Sequence, residues 1–235
     1  MWYNNLMIKV YNPTKLTRTA FFQELIQYLD QQDDVTLRQI KKEFATVLHV
    51  DRQLDRLIEA GYIRRKDRRY TNAFSCLTSL EGLRLDQEIF VETTSPIFEE
   101  LSRATFTVAT SNSTNKVIIE EEVDALRERL TLSSYFYKLS NQLPLSSDQE
   151  VLYQLLGDVN KDYAMKYMTT FLLKFARKDR VLQRRSDIFV RALEILGFIK
   201  EVDAQTYALT MGLDKENLVF YTRQKSNSNV VNLPC

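Results

Sequence analysis

The chain has 235 residues, 44% hydrophobic and 27% charged, and 32 Lys and Arg against 31 Asp and Glu give a net charge of +1. That balance is ordinary for a globular protein with room for two compact units, and its global charge does not announce a nucleic-acid binder. Five glycines and four prolines beside 12 Tyr and 13 Phe favour a mainly α protein with short connections and small β-hairpins.

The start, from Met1 to Tyr11, lacks a basic segment followed by a continuous apolar run, so it reads poorly as a signal peptide. No window has the uninterrupted apolar length of a membrane span. Cys76 and Cys235 are too few and too far apart for a disulfide framework or a metal cluster. These features predict a cytoplasmic protein without a membrane partner or a cofactor.

Phe21, Phe22, Leu25, Ile26 and Leu29 recur at helical spacing, with Thr17 or Thr19 placed to cap the start. After a polar break at Gln31 to Asp34, Thr36 and Gln39 stand in capping-box register before a second helix with Leu37, Ile40 and Phe44 on its apolar face. A third helix begins near Asp51, turns Leu54, Leu57 and Ile58 inward, and meets Gly61, a residue suited to a left-handed stop. Tyr62 and Ile63 then resume as strand, Arg65 to Arg69 form a charged tip, and Tyr70 returns. Three short helices and a hairpin make the winged variant of helix-turn-helix, assigned to residues 1–78.

Beyond it lies a mixed connecting region, 79–145. Pro96 opens a short helix to about Arg103, and Thr105–Ala109 and Lys116–Ile119 read as strands. Glu121 to about Gln142 reads as a helix. Glu120, Glu121 and Glu122 then point in different directions, which suits a solvated face better than a cation site. A helical domain, 146–222, follows. Ser147 and Glu150 stand in capping-box register, Gly157 closes that helix, Asn160 caps the next through about Ala176, and another runs to Leu196. The polar residues 223–235 read as a disordered tail.

An internal parallel joins the two ends. Asp51, Leu57, Gly61, Asp67 and Tyr70 find counterparts in Asp187, Leu193, Gly197, Asp203 and Tyr207, with one extra residue in the second hairpin. Lys41-Lys42 precedes its glycine by the same distance as Arg177-Lys178. The C-terminal part is therefore a candidate second winged-helix unit, although a continuous helix from Asp179 to Leu196 would break the parallel.

Nothing in this inventory builds a catalytic centre. His49 is the one histidine, and it falls in a turn; the glycines are isolated and form no phosphate-cradling loop; Cys76 sits among apolar residues. The sharpest signal is the hairpin, where Arg64, Arg65, Lys66, Arg68 and Arg69 crowd around one Asp67. In a winged helix the third helix enters the major groove and the hairpin lies along the backbone or minor groove. Arg52 and Arg56 face outward one turn apart with Gln53 at the margin, and Lys41 and Lys42 are additional phosphate anchors. Charged tips also serve solubility, and Asp55 and Glu59 are placed to pair with Arg52 and Arg56. The C-terminal cations Arg177, Lys178, Arg180, Arg184, Arg185 and Arg191 offer a second surface, but their hairpin lacks the charge of the first.

The stretches Met7–Arg18, Asp34–Phe44 and Glu59–Ile63 resemble a bacterial family of unknown function over roughly the first 75 residues. The resemblance implies no activity, and it suggests Met7 as an alternative start to Met1. The sequence thus predicts a double-stranded-DNA-binding transcriptional regulator, with a recognition helix at 51–60 and a basic wing at 62–74. It also allows homodimerisation and a protein partner on the C-terminal domain. The competing reading is a non-enzymatic scaffold of tandem winged helices that docks on proteins.

Overall fold

In the computed structural model, which describes residues 7–222, Thr19 leaves the chain extended and its hydroxyl accepts from the Phe22 N–H. Helix α1 (Ala20–Asp30) follows, with all five apolar residues of its stripe buried. Thr36 and Gln39 form the reciprocal capping box at the start of α2 (Leu37–Glu43). Thr36 also ends the two-residue strand β2 (Val35–Thr36). Helix α3 (Val50–Glu59) begins after His49, whose backbone is left-handed and whose side chain makes no cap. Gly61, at φ 81°, ends it: its N–H reaches the Ile58 carbonyl and the Tyr62 N–H reaches Leu57, the two bonds of a Schellman motif.

Strands β3 (Ile63–Lys66) and β4 (Arg69–Asn72) form the hairpin, and β2 joins the other edge of β4, giving the order β2-β4-β3. The connecting pair Asp67-Arg68 has φ of 49° and 64°, both left-handed, as a two-residue turn of matching twist requires.

The division into compact units falls between Arg103 and Ala104, so the first unit runs past residue 78. Strand β1 (Ile8–Tyr11) pairs antiparallel with β5 (Ile89–Glu92), and the Gln27 side chain both accepts from the Ile8 N–H and donates to its carbonyl. Phe90 stacks on Phe74 at 3.8 Å and meets Phe22 edge-on, within the core of the helices. Glu88 accepts from Tyr62, the Thr14 N–H and the Thr17 hydroxyl, so Thr17 is a buried tie and Thr19 is the cap. Helix α4 (Pro96–Arg103) closes this unit, with proline at its first position. Cys76 packs against the same core and bridges to Phe90.

The second unit begins with β6 (Thr105–Thr110) and β7 (Ile118–Asp124), then α5 (Leu132–Ser140), α6 (Ser147–Leu156) and α7 (Lys161–Leu172), which tightens into a 3-10 turn to Ala176. Strand β8 (Arg180–Leu182), α8 (Ile188–Ile195), β9 (Ile199–Asp203) and β10 (Thr206–Leu209) follow, then β11 (Gly212–Asp214) and β12 (Val219–Tyr221). Two sheets result, β11-β12-β7-β6 and β8-β10-β9.

Three expectations are corrected. The fold is mixed α/β rather than mainly α: the described residues are 37% helix and 23% strand and form four sheets. Scarce glycine misled because ten non-glycine residues among those described, Asn12, Asp34, Asp86, Gln205 and Leu218 included, hold left-handed turns instead. The helix expected from Glu121 to Gln142 is strand β7 to Asp124 and helix only from Leu132, because Ile119, Glu121 and Val123 alternate inward. The cap of α6 is Ser146 with Gln149, not Ser147 with Glu150. Gln149 is fully buried and its amide also donates to the Arg127 and Arg129 carbonyls, which a glutamate could not do.

The internal parallel has a geometric counterpart. Gly197, at φ 70°, closes α8 with the bond pair seen at Gly61, Val181↔Tyr207 repeats Val35↔Tyr70, and the extra residue is a bulge at Thr206/Tyr207. Strand β8 interrupts the feared continuous helix. The basic pairs are not equivalent: Lys41-Lys42 lies on α2 after β2, whereas Arg177-Lys178 precedes β8, and no helix corresponds to α2 between β8 and α8. The start at Met1 and the tail from 223 lie outside the described residues.

Candidate nucleic-acid interface

Helix α3 buries Leu54 and Leu57 and half-buries Ile58, which leaves Asp51, Arg52, Asp55, Arg56 and Glu59 exposed. Arg52 and Arg56 make no ion pair, and neither do Asp55 and Glu59, so the pairing that would neutralise this face is absent among the described residues. The half-buried Gln53 donates to the Leu48 carbonyl at 2.8 Å, fixing the turn before the helix. Lys41 is committed to Asp51 at 2.7 Å, whereas Lys42 is exposed without a carboxylate partner.

Register sorts the hairpin cations. Lys66 faces Arg69 and Arg64 faces Thr71, and cross-strand partners share a face. Arg64, Lys66 and Arg69 therefore project from the face opposite Ile63 and Tyr70, which are buried. Arg65 lies on the core side at the sheet margin, its guanidinium 5.7 Å from the Tyr70 ring centre. Arg69 is held by Asp34 at 2.6 Å. Arg68 stands in the turn itself, exposed and unpaired.

A cleft of about 450 Å³ opens beside α3. The buried side chains Phe21 and Leu57 and the half-buried Leu16 form its floor, while Lys15, Arg52 and Arg56 are exposed at its mouth. His49, Gln53, Thr19 and Leu48 complete it, and Leu48 is 78% exposed. Sequence reasoning singled out Arg52, Gln53 and Arg56 but missed Lys15, Thr19 and Leu48. Periodicity within one helix carries no information on what a segment thirty residues upstream brings alongside it.

The cations of the second unit differ in setting. Arg180 pairs with Asp203 at 3.1 Å, across the hairpin whose tip lacks a basic run. The glutamate trio on β7 is not a uniformly solvated face, since Glu121 is 1% exposed.

Residues 8–104 match the family model described as Domain of unknown function (DUF1803), which ends one residue past the division between the two units and reaches beyond the first 75 residues. No curated protein and no solved structure matches the chain. No helix among the described residues is long and apolar enough to cross a membrane.

Proposed function

We propose that the first unit is a winged helix that binds double-stranded DNA within a cytoplasmic transcriptional regulator. Helix α3 would lie in the major groove and the β3–β4 hairpin would follow the backbone as its wing. The observation that carries this reading is the set of exposed cations without carboxylate partners on these two elements: Arg52 and Arg56 on α3, and Arg64, Lys66 and Arg68 on the hairpin. Unpaired surface cations are hydrated and repel one another, and a polyanion relieves that repulsion while releasing its own counterions. The element order α1-β2-α2-α3-β3-β4 and the sheet order β2-β4-β3 support the winged-helix assignment.

The test is fluorescence anisotropy of the full chain on random duplex DNA at low and moderate salt, beside Arg52→Ala/Arg56→Ala and Arg64→Ala/Lys66→Ala. Micromolar or tighter binding at low salt that each pair weakens is the expected result; binding indifferent to both pairs, or none at all, overturns it.

One observation favours the competing, protein-docking role, and it lies in the second unit. Tyr163, Tyr167 and Ile188 are exposed there, with Tyr167 stacked on Phe189 at 5.2 Å. An exposed aromatic shelf of this kind suits a protein contact, either a second copy or another chain. Sedimentation of the purified protein, with Tyr163→Ser/Tyr167→Ser alongside, checks the homodimer.

A further inference from the structure

We propose that the cleft beside α3 binds a small amphipathic organic anion, a carboxylate, sulfonate or phosphate ester with an apolar body, and that this ligand competes with DNA for Arg52 and Arg56. The competition rests on the DNA reading above; the binding does not.

The cleft's volume of about 450 Å³ lies in the range of small-molecule sites. Its lining has two chemistries in one place. Lys15, Arg52 and Arg56 put three cations at the mouth, and none of the lining residues is acidic. Asp51, the acid nearest in sequence to Arg52, is drawn to Lys41 at 2.7 Å. Beneath and beside the cations lie Leu16, Phe21, Leu48 and Leu57.

A DNA phosphate needs only the cations. The apolar floor, and a leucine left 78% exposed at its edge, are satisfied by a ligand that brings apolar surface together with its charge. The walls are set before any ligand arrives. Gln53 holds the Leu48 carbonyl at 2.8 Å, and the Thr19 hydroxyl donates to Leu16 at 2.9 Å while capping α1. Little ordering is then lost on binding. An anion seated here occupies the two arginines that α3 would present to a duplex, which makes the site a built-in means of release.

The probe is 1-anilinonaphthalene-8-sulfonate, an aromatic sulfonate, followed by fluorescence with the full chain, with neutral N-phenyl-1-naphthylamine as the uncharged comparison. Saturable binding of the sulfonate is expected, weakened about tenfold or more in Arg52→Ala/Arg56→Ala and largely kept in Arg52→Lys/Arg56→Lys. The neutral dye should bind far more weakly. A loosened fold would raise the dye signal of the alanine pair instead of lowering it, so folding failure is distinguishable from loss of the site. Sulfonate binding that ignores the alanine pair, or is matched by the neutral dye, overturns the proposal. Duplex displaced by saturating sulfonate supports the competition, and duplex left undisturbed overturns it. Arginine-dependent dye binding without any duplex binding would remove the DNA reading and leave the anion cleft standing.

Discussion

The buried carboxylate of Glu121 on β7 accepts from the Leu132 N–H at 2.7 Å and from the Ser133 N–H at 2.8 Å, closing the first turn of α5 from a neighbouring sheet. A helix start leaves N–H groups without intrahelical partners, and the two carboxyl oxygens supply the missing acceptors. Truncating the side chain strands two buried donors. Glu121→Ala should cost about 2–4 kcal/mol, the sum of two unmade buried bonds at reduced relaxation. Glutamine keeps one acceptor but turns an amide N–H toward the other donor, so Glu121→Gln should recover only part of the loss. Urea denaturation of the three proteins checks the order.

The same carboxylate sets a pH dependence. Burial pushes its pKa above the ordinary 4.5, and the Ser133 and Leu132 N–H groups and the nearby Arg127 only partly offset that rise. The folded chain therefore holds this proton at pH values where the unfolded chain has released it. Its favourable contribution is full below the unfolded value and is lost as pH rises from 4.5 through the folded pKa. Stability measured against pH should fall across that window in the native protein and flatten in Glu121→Gln. An unchanged slope in the variant would assign the effect to other groups.

How far the sequence could go follows from where each determinant lies. The stripe of Phe21, Phe22, Leu25, Ile26 and Leu29, the Thr36–Gln39 box and the glycine stops at Gly61 and Gly157 are local signals, and each falls where it was read. Strand β7 was not legible because its glutamates suit a helix surface by propensity, while the N–H groups that donate to the buried Glu121 lie eleven and twelve residues onward. The β1–β5 pair joins segments about eighty residues apart and has no local trace. For the candidate interface, residue type identified the cations, but pairing decided which are available, and Asp51 and Asp34 gave no sign of their choice of Lys41 and Arg69.

Gly212 offers a packing prediction independent of function. A methyl group at its Cβ position would stand 2.1 Å from the Tyr221 ring on the paired strand. Gly212→Ala must displace that ring, and overpacking of this kind costs about 1–3 kcal/mol. Tyr221→Ala removes the obstacle, so the double variant should be more stable than the sum of the single losses. Additivity in a thermal-denaturation cycle would show that the ring moves aside freely.

The β3–β4 turn separates folding from electrostatics. Asp67 and Arg68 both occupy left-handed backbone, a conformation that favours Asn followed by Gly. Asp67→Asn/Arg68→Gly should therefore stabilise the first unit, by about 0.5–1 kcal/mol from relief of the arginine's backbone strain. The exchange removes one charge of each sign and takes away a cation at the tip. A variant that melts higher yet binds duplex DNA less tightly would assign Arg68 to the contact rather than to the fold. Tighter or unchanged binding would remove it from the interface.

Salt dependence tests the paired and unpaired cations against each other. Each phosphate neutralised contributes about −0.9 to the slope of log K against log salt on duplex DNA. Arg64→Ala/Lys66→Ala should reduce that slope by close to 2 if both cations, exposed on one sheet face, meet phosphates. Lys41 and Arg69 are already neutralised by Asp51 and Asp34, so replacing either should change the slope less than replacing Arg64. The reverse experiment frees a charge. Asp34 has φ 65°, which asparagine adopts readily, so Asp34→Asn releases Arg69 without straining the turn. Duplex affinity at low salt should then rise about two- to fivefold, the size of an exposed ion pair's energy. A fall in affinity would mean that Asp34 holds Arg69 in its binding position, and the pair would belong to the interface as a unit.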